Sequence, residues 1–335
     1  MSTTEARQAA REEVLELLRT SGSFLLVTHE HPDGDALGSL IAMHGILDAL
    51  GKDAKMFMAA GEIPLPQEYR FFDVGEVVSV PPPDIGERVV VFLDCGNIDR
   101  TPDDAVKHEG ARILNIDHHH DNTLFGDVDL VVPEASCTAE IVWDLMGGLG
   151  VTATLEIAEA LYVGLVTDTG KFMYENTGPR AHVMAADLIE AGIDVHGIYR
   201  RLYEGVPAAK LNLLGRALER VRRFDDGRLT IATLDCDDFR QTGADETHSE
   251  GIIDHLRSVE GTKVAALARQ RDDPGGVSRK KVSLRSTDGE VDVSAVARAG
   301  GGGGHRQAAG FTTEMTEDEL VAFLRAEIAA QLTQS

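Results

Sequence analysis

The sequence predicts an α/β protein: a parallel sheet with helices on both faces, then a helical connector, then a smaller α+β domain. Three observations carry this. Short continuous apolar runs alternate with helical patterns through the first 170 residues, the texture of strands buried on both faces. Residues from about 180 to 220 read as helix throughout. From about 224 onward, strand-like runs surround a few helices.

The elements follow in order. SFLLVT (Ser23–Thr28) reads as a buried strand, and Asp35–Leu50 carries apolar residues at helical spacing. Ala54–Met58, Arg88–Asp94 and Ala111–Asp117 read as further strands. Helices are expected at Thr138–Met146 and Leu155–Val166, and Pro81–Pro83 reads as a turn. PRAHVMAADLIEAG, VHGIYRRLYEG and AAKLNLLGRALERV make the connector. In the last part, strands are expected at Leu229–Leu234, Lys263–Arg269 and Lys281–Arg285. Helices are expected near His248–Val259, Ser294–Ala299 and Glu317–Gln331. The expected domains are 1–180, a connector over 181–222, and 223–335.

Composition narrows the function. Among 335 residues, Lys plus Arg total 32 and Asp plus Glu 56, for a net charge of −24. Tight binding of long duplex DNA needs a basic footprint, because phosphate neutralisation drives its affinity. The strongest positive cluster is Arg279, Lys280, Lys281 and Arg285. A short anionic substrate held by that cluster and by bound metals fits better than a long polyanion. Cys95, Cys137 and Cys236 are widely spaced and form no C-x-x-C, which argues against a disulfide scaffold or zinc ribbon and for a reducing, cytoplasmic setting. The N-terminus lacks a signal-peptide core, and no apolar run reaches membrane-spanning length.

Four acidic or histidine clusters sit where elements should end. HEHPDGD, with His29, Asp33 and Asp35, follows the first strand. Asp94, in DCGN with Asn97, follows RVVVFL. Asp117, His118 and His119 follow ARILNI, and Asp168 lies in TDTG after a helical run. Taken singly, each has a plain reading: Asp35 as a helix cap, Asp94 as a loop cap, the histidines as a polar loop, Asp168 as a helix terminus. Together they are hard to assign to chance. The carboxyl ends of parallel strands line one edge, where ligands bind. Carboxylates crowded there raise each other's pKa values unless cations intervene. A mixed oxygen and imidazole set suits manganese better than thiophilic metals.

This set resembles the DHH phosphoesterase superfamily, and GGGGHRQAAG over Gly301–Gly310, approached by Ser283, Arg285 and Ser286, resembles the glycine-rich signature of its DHHA1 domain. The resemblance covers nearly the whole chain and reaches the short bifunctional oligoribonuclease and 3′-phosphoadenosine-5′-phosphate (pAp) phosphatases. It implies two divalent cations, manganese first and magnesium or cobalt next. His29 and Asp33 match ligands of one ion, Asp35, His118 and Asp168 ligands of the other, and Asp94 the bridging carboxylate. His119 matches the residue facing the phosphate. Asp117 is expected to orient a neighbouring histidine, and Asn97 and Ser39 match motif positions. Arg285, Gly301, Gly302, Gly303, Gly304 and His305 are expected to hold a terminal phosphate or nucleotide.

The expected activity is hydrolysis of short oligoribonucleotides to mononucleotides and of pAp to AMP, by a homodimer, with the substrate between the domains. Cleavage of cyclic dinucleotides is the second enzymatic reading. Longer, more basic nucleases and manganese pyrophosphatases of the superfamily fit length and signature less well. A non-catalytic nucleotide-binding protein would need degraded ligand positions, and all are intact.

Overall fold

The computed structural model describes residues 3–75, 77–101, 103–106, 110–272 and 278–332. His108, read from sequence as a surface or structural residue, lies outside them. The chain forms two compact units, Met1–Glu204 and Gly205–Ser335.

The first unit contains α1 (Thr3–Thr20), β1 (Ser23–Val27), α2 (Gly34–Ala49), β2 (Asp53–Phe57), β3 (Val77–Val78), β4 (Val89–Leu93), β5 (Arg112–Asp117) and β6 (Val128–Val131). Helices α3 (Thr138–Leu149), α4 (Leu155–Asp168), α5 (Pro179–Glu190) and α6 (Val195–Tyr203) complete it. Its six strands are all parallel, in the order β3-β2-β1-β4-β5-β6. The chain winds outward from β1 to β3, then resumes on the other side of β1 with β4. The topological switch therefore lies between β1 and β4, where open sheets of this kind form their ligand crevice.

Strands β1 and β4 read as unbroken apolar runs because both faces are covered. Phe24 and Leu26 point into the core shared with α2, α3 and α4, while Leu25 and Val27 join Phe57, Val90 and Phe92 on the other face. Helix α2 is buried along nearly its whole length, from Gly34 through Met43, as expected of a helix apolar on every side. Three elements of this unit escape the sequence reading: α1, the two-residue β3, and β6. Helix α1 buries only Val14, Leu15, Leu17 and Leu18 near its end, and its polar first half dilutes the pattern. Strand β6, VDLV, shows alternating burial and is too short to stand out.

The second unit contains α7 (Ala208–Glu219), β7 (Arg222–Phe224), β8 (Leu229–Leu234), α8 (Cys236–Thr242), α9 (Ile252–Arg257), β9 (Val264–Asp272), β10 (Ser278–Ser286), α10 (Val293–Ala299), β11 (Gly303–His305), β12 (Ala308–Thr313) and α11 (Glu317–Leu332). Its sheet runs β11-β12-β10-β9-β8-β7 and is antiparallel except for β8 and β9. The three helical stretches expected as a connector divide between the units: α5 and α6 belong to the first, α7 to the second. The glycine run is loop only in part, because Gly303–His305 pairs with Ala308–Gly310 as an edge strand.

Candidate metal centre

The carboxyl ends of β1, β4 and β5 present the clustered residues along one edge. After β1 the chain carries His29, and Asp33 then caps α2, its Oδ1 accepting from the backbone N–H groups of Asp35 (3.0 Å) and Ala36 (3.1 Å). The cap of α2 is thus Asp33. Asp35 instead reaches the first turn of α3, accepting from Thr138 N–H at 2.6 Å and Ala139 N–H at 2.9 Å. Ser39 Oγ donates to it at 3.3 Å. Gly164 of α4 makes room: a Cβ there would stand 2.8 Å from Asp35 Oδ1.

Asp94 follows β4 in left-handed backbone (φ 59°), a conformation few non-glycine residues adopt and one found often at functional sites. Its N–H still bonds Ile116 at 3.1 Å, so the sheet holds it while the turn lifts its carboxylate over the edge. Thr138 Oγ1 donates to Asp94 Oδ1 at 2.9 Å. Asp94 Oδ2 lies 3.7 Å from His29 Nε2, and Asp94 Oδ1 lies 3.7 Å from His118 Nε2. His118 Nε2 is in turn 3.7 Å from Asp168 Oδ2, at the end of α4. These separations are too long for hydrogen bonds and suit donors sharing one small cation at about 2.1 Å from each. Ligand atoms of His29, Asp33 and Asp94 lie within 4.8 Å of one another, as do those of Asp35, His118 and Asp168.

A third grouping, Asp94, His118 and His119, meets the same distance, but His119 is otherwise engaged. Its Nδ1 lies 2.7 Å from Asp117 Oδ1, so that nitrogen carries a proton directed at a carboxylate. Asp117 is fully buried, and its other oxygen accepts from Asn122 Nδ2 at 2.6 Å. Asn97 makes no contact with these donors; it caps a short 3₁₀ turn, Ile98–Arg100. His31 is almost wholly exposed and pairs with Glu62, and His120 is exposed.

The electrostatics record a conflict. Burial, then repulsion from Asp94, Asp168 and Asp33, pushes the Asp35 carboxyl well above its usual range. Burial likewise raises Asp168 to about 6, against the pull of His118. Burial would also raise Asp94, yet His29, His119 and His118 around it hold it down at about 2. His119 is raised to about 9, chiefly by its bond to Asp117 and against the effect of burial. One side chain at the centre of such a cluster stays ionised while its neighbours compete for protons, and divalent cations resolve that competition. The donor set fits them: oxygens and imidazoles, with no available thiolate. Burial pushes Cys95 up to about 12, and Cys137 is raised in the same way.

Sequence reasoning missed four polar residues here. Thr138 holds Asp94, Asn122 holds Asp117, Asn176 Nδ2 holds Asp168 Oδ2 at 3.1 Å, and Arg100 Nη2 lies 3.2 Å from His29 Nδ1.

In the second unit, two of the four residues in the basic cluster expected to hold an anion, Arg279 and Lys281, are taken up by carboxylates. Arg279 pairs with Glu314 and Lys281 with Glu246, while Lys280 donates to the Met315 carbonyl. Their partners lie 35 residues away in sequence: Glu314 and Met315 follow β12, which pairs with β10, and Glu246 lies just before the turn Thr247–Ser249. Arg285 forms no ion pair among the described residues; it is half-buried in β10 between Ala265 and Ala308 and donates to the Leu284 carbonyl. The glycines differ among themselves. A Cβ at Gly302 would stand 2.2 Å from the Gly310 carbonyl, and one at Gly304 2.5 Å from Ala309 Cα, so sheet packing requires both. Gly301 (φ 83°) and Gly303 are exposed, with nothing within 4 Å of a Cβ position. His305 contributes backbone to β11, and its side chain lies outside the description.

An open parallel sheet with these donors along its carboxyl edge is the build of a metal-dependent phosphoesterase. Comparison with known proteins agrees. The model of the DHH family, N-terminal domain, matches residues 23–165, and that of the DHHA1 domain matches 226–332. The chain belongs to the DHH family. It is 36% identical to a bifunctional oligoribonuclease and PAP phosphatase, NrnA, of Thermus thermophilus, over 89% of this chain and 87% of that one. It is 28% identical to the Bacillus subtilis protein of the same description, over 88% and 91%. The solved structure of an exopolyphosphatase-related protein from Bacteroides fragilis superposes with a TM-score of 0.83 at 25% identity, covering 96% of each chain.

Proposed function

We propose that this protein hydrolyses short oligoribonucleotides to mononucleotides and pAp to AMP, using two manganese ions. One observation carries the two-cation reading: Asp94 turns one carboxylate oxygen to His29 and the other to His118, at 3.7 Å each. The relatives' activities carry the substrate class. His29, Asp33 and Asp94 would hold one ion, and Asp35, His118, Asp168 and Asp94 the other. An ion pair at such a site supplies a nucleophile at neutral pH and neutralises the phosphoryl oxygens during in-line attack.

The remaining work falls to the chain's own groups. Thr138 and the amides of α3 fix the carboxylates of Asp94 and Asp35, so no ligand must reorganise when substrate arrives. The Nδ1–H of His29 points at the Glu30 carbonyl, 2.7 Å away, which leaves Nε2 with its lone pair toward the site. Asp117 accepts from His119 Nδ1 and favours the protonated ring, which leaves an Nε2–H to meet the phosphoryl group or to protonate the leaving oxygen. In the second unit Arg285, with the glycine run Gly301–Gly304 and His305, takes a terminal phosphate or nucleotide. The acidity of the chain disfavours long duplexes. Among the described residues no helix is long and apolar enough to cross a membrane, and three free cysteines fit a reducing cytoplasm.

The test is hydrolysis of end-labelled short RNAs, pAp and cyclic di-AMP with manganese, with Asp94→Ala as control. Short RNA and pAp should be cleaved, and the variant should cleave neither. Cleavage of cyclic di-AMP alone, or activity retained in the variant, would overturn the proposal.

A further inference from the structure

Arg100 is an exposed guanidinium beside a site built of carboxylates. The chain carries 56 acidic against 32 basic residues, and the other exposed arginines of the first unit are occupied either by carboxylates, as Arg180 by Glu140 and Arg201 by Glu159, or by carbonyl acceptors, as Arg19 by Gly148 and Arg70 by Leu65. Arg100 is exposed and forms no ion pair among the described residues. Its Nη2 lies 3.2 Å from His29 Nδ1, but that nitrogen already directs its proton to Glu30. A guanidinium has only donors, so it gains no acceptor there.

The backbone delivers Arg100 to this place. Asn97 Oδ1 accepts from Asp99 N–H at 3.0 Å and starts the 3₁₀ turn that Arg100 ends. The Arg100 carbonyl then accepts from Glu30 N–H at 2.8 Å, joining the turn after β4 to the loop after β1. This connection crosses the topological switch of the sheet. It also gives Asn97 a role: it shapes the turn that aims Arg100. The guanidinium charge reaches both His29, a proposed ligand, and His119, the histidine proposed to face the phosphate.

Charge balance says what it is for. Two divalent cations cancel the carboxylates of Asp33, Asp35, Asp94 and Asp168. Once they are bound, Arg100 adds a positive charge beside a neutralised centre, which is favourable when an anion comes between. We propose that Arg100 grips the non-bridging oxygens of the phosphoryl group under attack, at the His29 side of the centre. This rests on the phosphoesterase reading above.

The experiment uses the full chain loaded with manganese, inorganic phosphate as the probe ligand, and the variants Arg100→Gln and Arg100→Lys. Phosphate affinity is measured by calorimetry, KM and kcat on pAp by assay, and manganese stoichiometry and affinity without phosphate. Loss of a charge-assisted bond predicts phosphate binding and kcat/KM weaker by roughly 10- to 100-fold in Arg100→Gln. Arg100→Lys should recover part of the loss, because it keeps the charge without the fork. Manganese binding should stay within about twofold, since a guanidinium is no ligand. Phosphate affinity within about threefold of the parent chain in Arg100→Gln would refute the grip. So would a parallel loss of manganese affinity, which would make Arg100 a support for His29. If the parent chain binds phosphate through Arg100 yet cleaves no ester, the hydrolase reading fails and the grip stands. If it cleaves pAp and Arg100→Gln matches it, the grip fails and the hydrolase reading stands.

Discussion

Replacing Thr138 by valine removes one hydroxyl and little else. The two side chains have nearly the same shape, and Thr138 is fully buried at the first turn of α3. The backbone N–H groups of Thr138 and Ala139 that hold Asp35 stay in place. What disappears is the 2.9 Å bond from Oγ1 to Asp94 Oδ1. A hydrogen bond to a charged acceptor contributes about 1.5–3 kcal/mol. Removing the partner behind a metal ligand typically weakens metal binding by about 10- to 100-fold, which is about 1.4–2.7 kcal/mol at 25 °C, so the two estimates agree. Calorimetric titration with manganese should therefore show Thr138→Val binding about 10- to 100-fold more weakly, with Thr138→Ser close to the parent chain. Because Asp94 serves both ions, both sites should weaken together. Unchanged affinity in Thr138→Val, or loss at one site alone, would refute the bridging role given to Asp94.

Three further expectations follow from the same contacts. Cation affinity should fall with acidity at the ion assigned to Asp35, His118 and Asp168: Asp168 is raised to about 6 and Asp35 well above its usual range, so as the pH falls that ion must displace protons, and titrations in buffers of different ionisation enthalpy should register the release. Asp117→Asn should lower kcat by about 100-fold with cation stoichiometry unchanged, because an amide has one oxygen and cannot accept from both Asn122 and His119, nor keep the His119 ring protonated; single-turnover kinetics would check it. Arg88→Met should destabilise the first unit by about 1–3 kcal/mol in denaturant melts, since buried Arg88 donates to the Phe24 and Asp53 carbonyls. Arg88 also holds Asp53 and Asp84 below their usual pKa; that stabilisation is present above the ordinary carboxylate range, is lost as pH falls through the lowered values, and should be missing from the variant's acid melt.

The proposed ligands could be read from the sequence for a physical reason. A parallel strand buried on both faces is a short apolar run, and its carboxyl end is where the next polar residues must face solvent or a ligand. His29, Asp94 and Asp117 each follow such a run directly, so order along the chain becomes position along the edge. The supporting residues carry no such mark. Thr138 reaches Asp94 because α3 packs beside α2, 44 positions away in sequence. Asn122 and Asn176 sit in turns, where asparagine is common anyway, and Arg100 depends on how one 3₁₀ turn is tied to a neighbouring loop. In the second unit the reading was weaker. Glycine-rich residues have low strand propensity, so β11 read as loop, and β12 went unmarked beside it. The cluster Arg279, Lys280 and Lys281 looked like an anion site because the carboxylates and carbonyl that occupy it come from distant parts of the chain.

The two-ion centre spanned by Asp94 is tested most directly by the electron paramagnetic resonance spectrum of the manganese-loaded chain, read alongside manganese content. Two ions per chain with a spin-coupled signal, lost in Asp94→Asn, is the expected result. A single uncoupled manganese signal at saturation, or a coupled signal that survives Asp94→Asn, would contradict it.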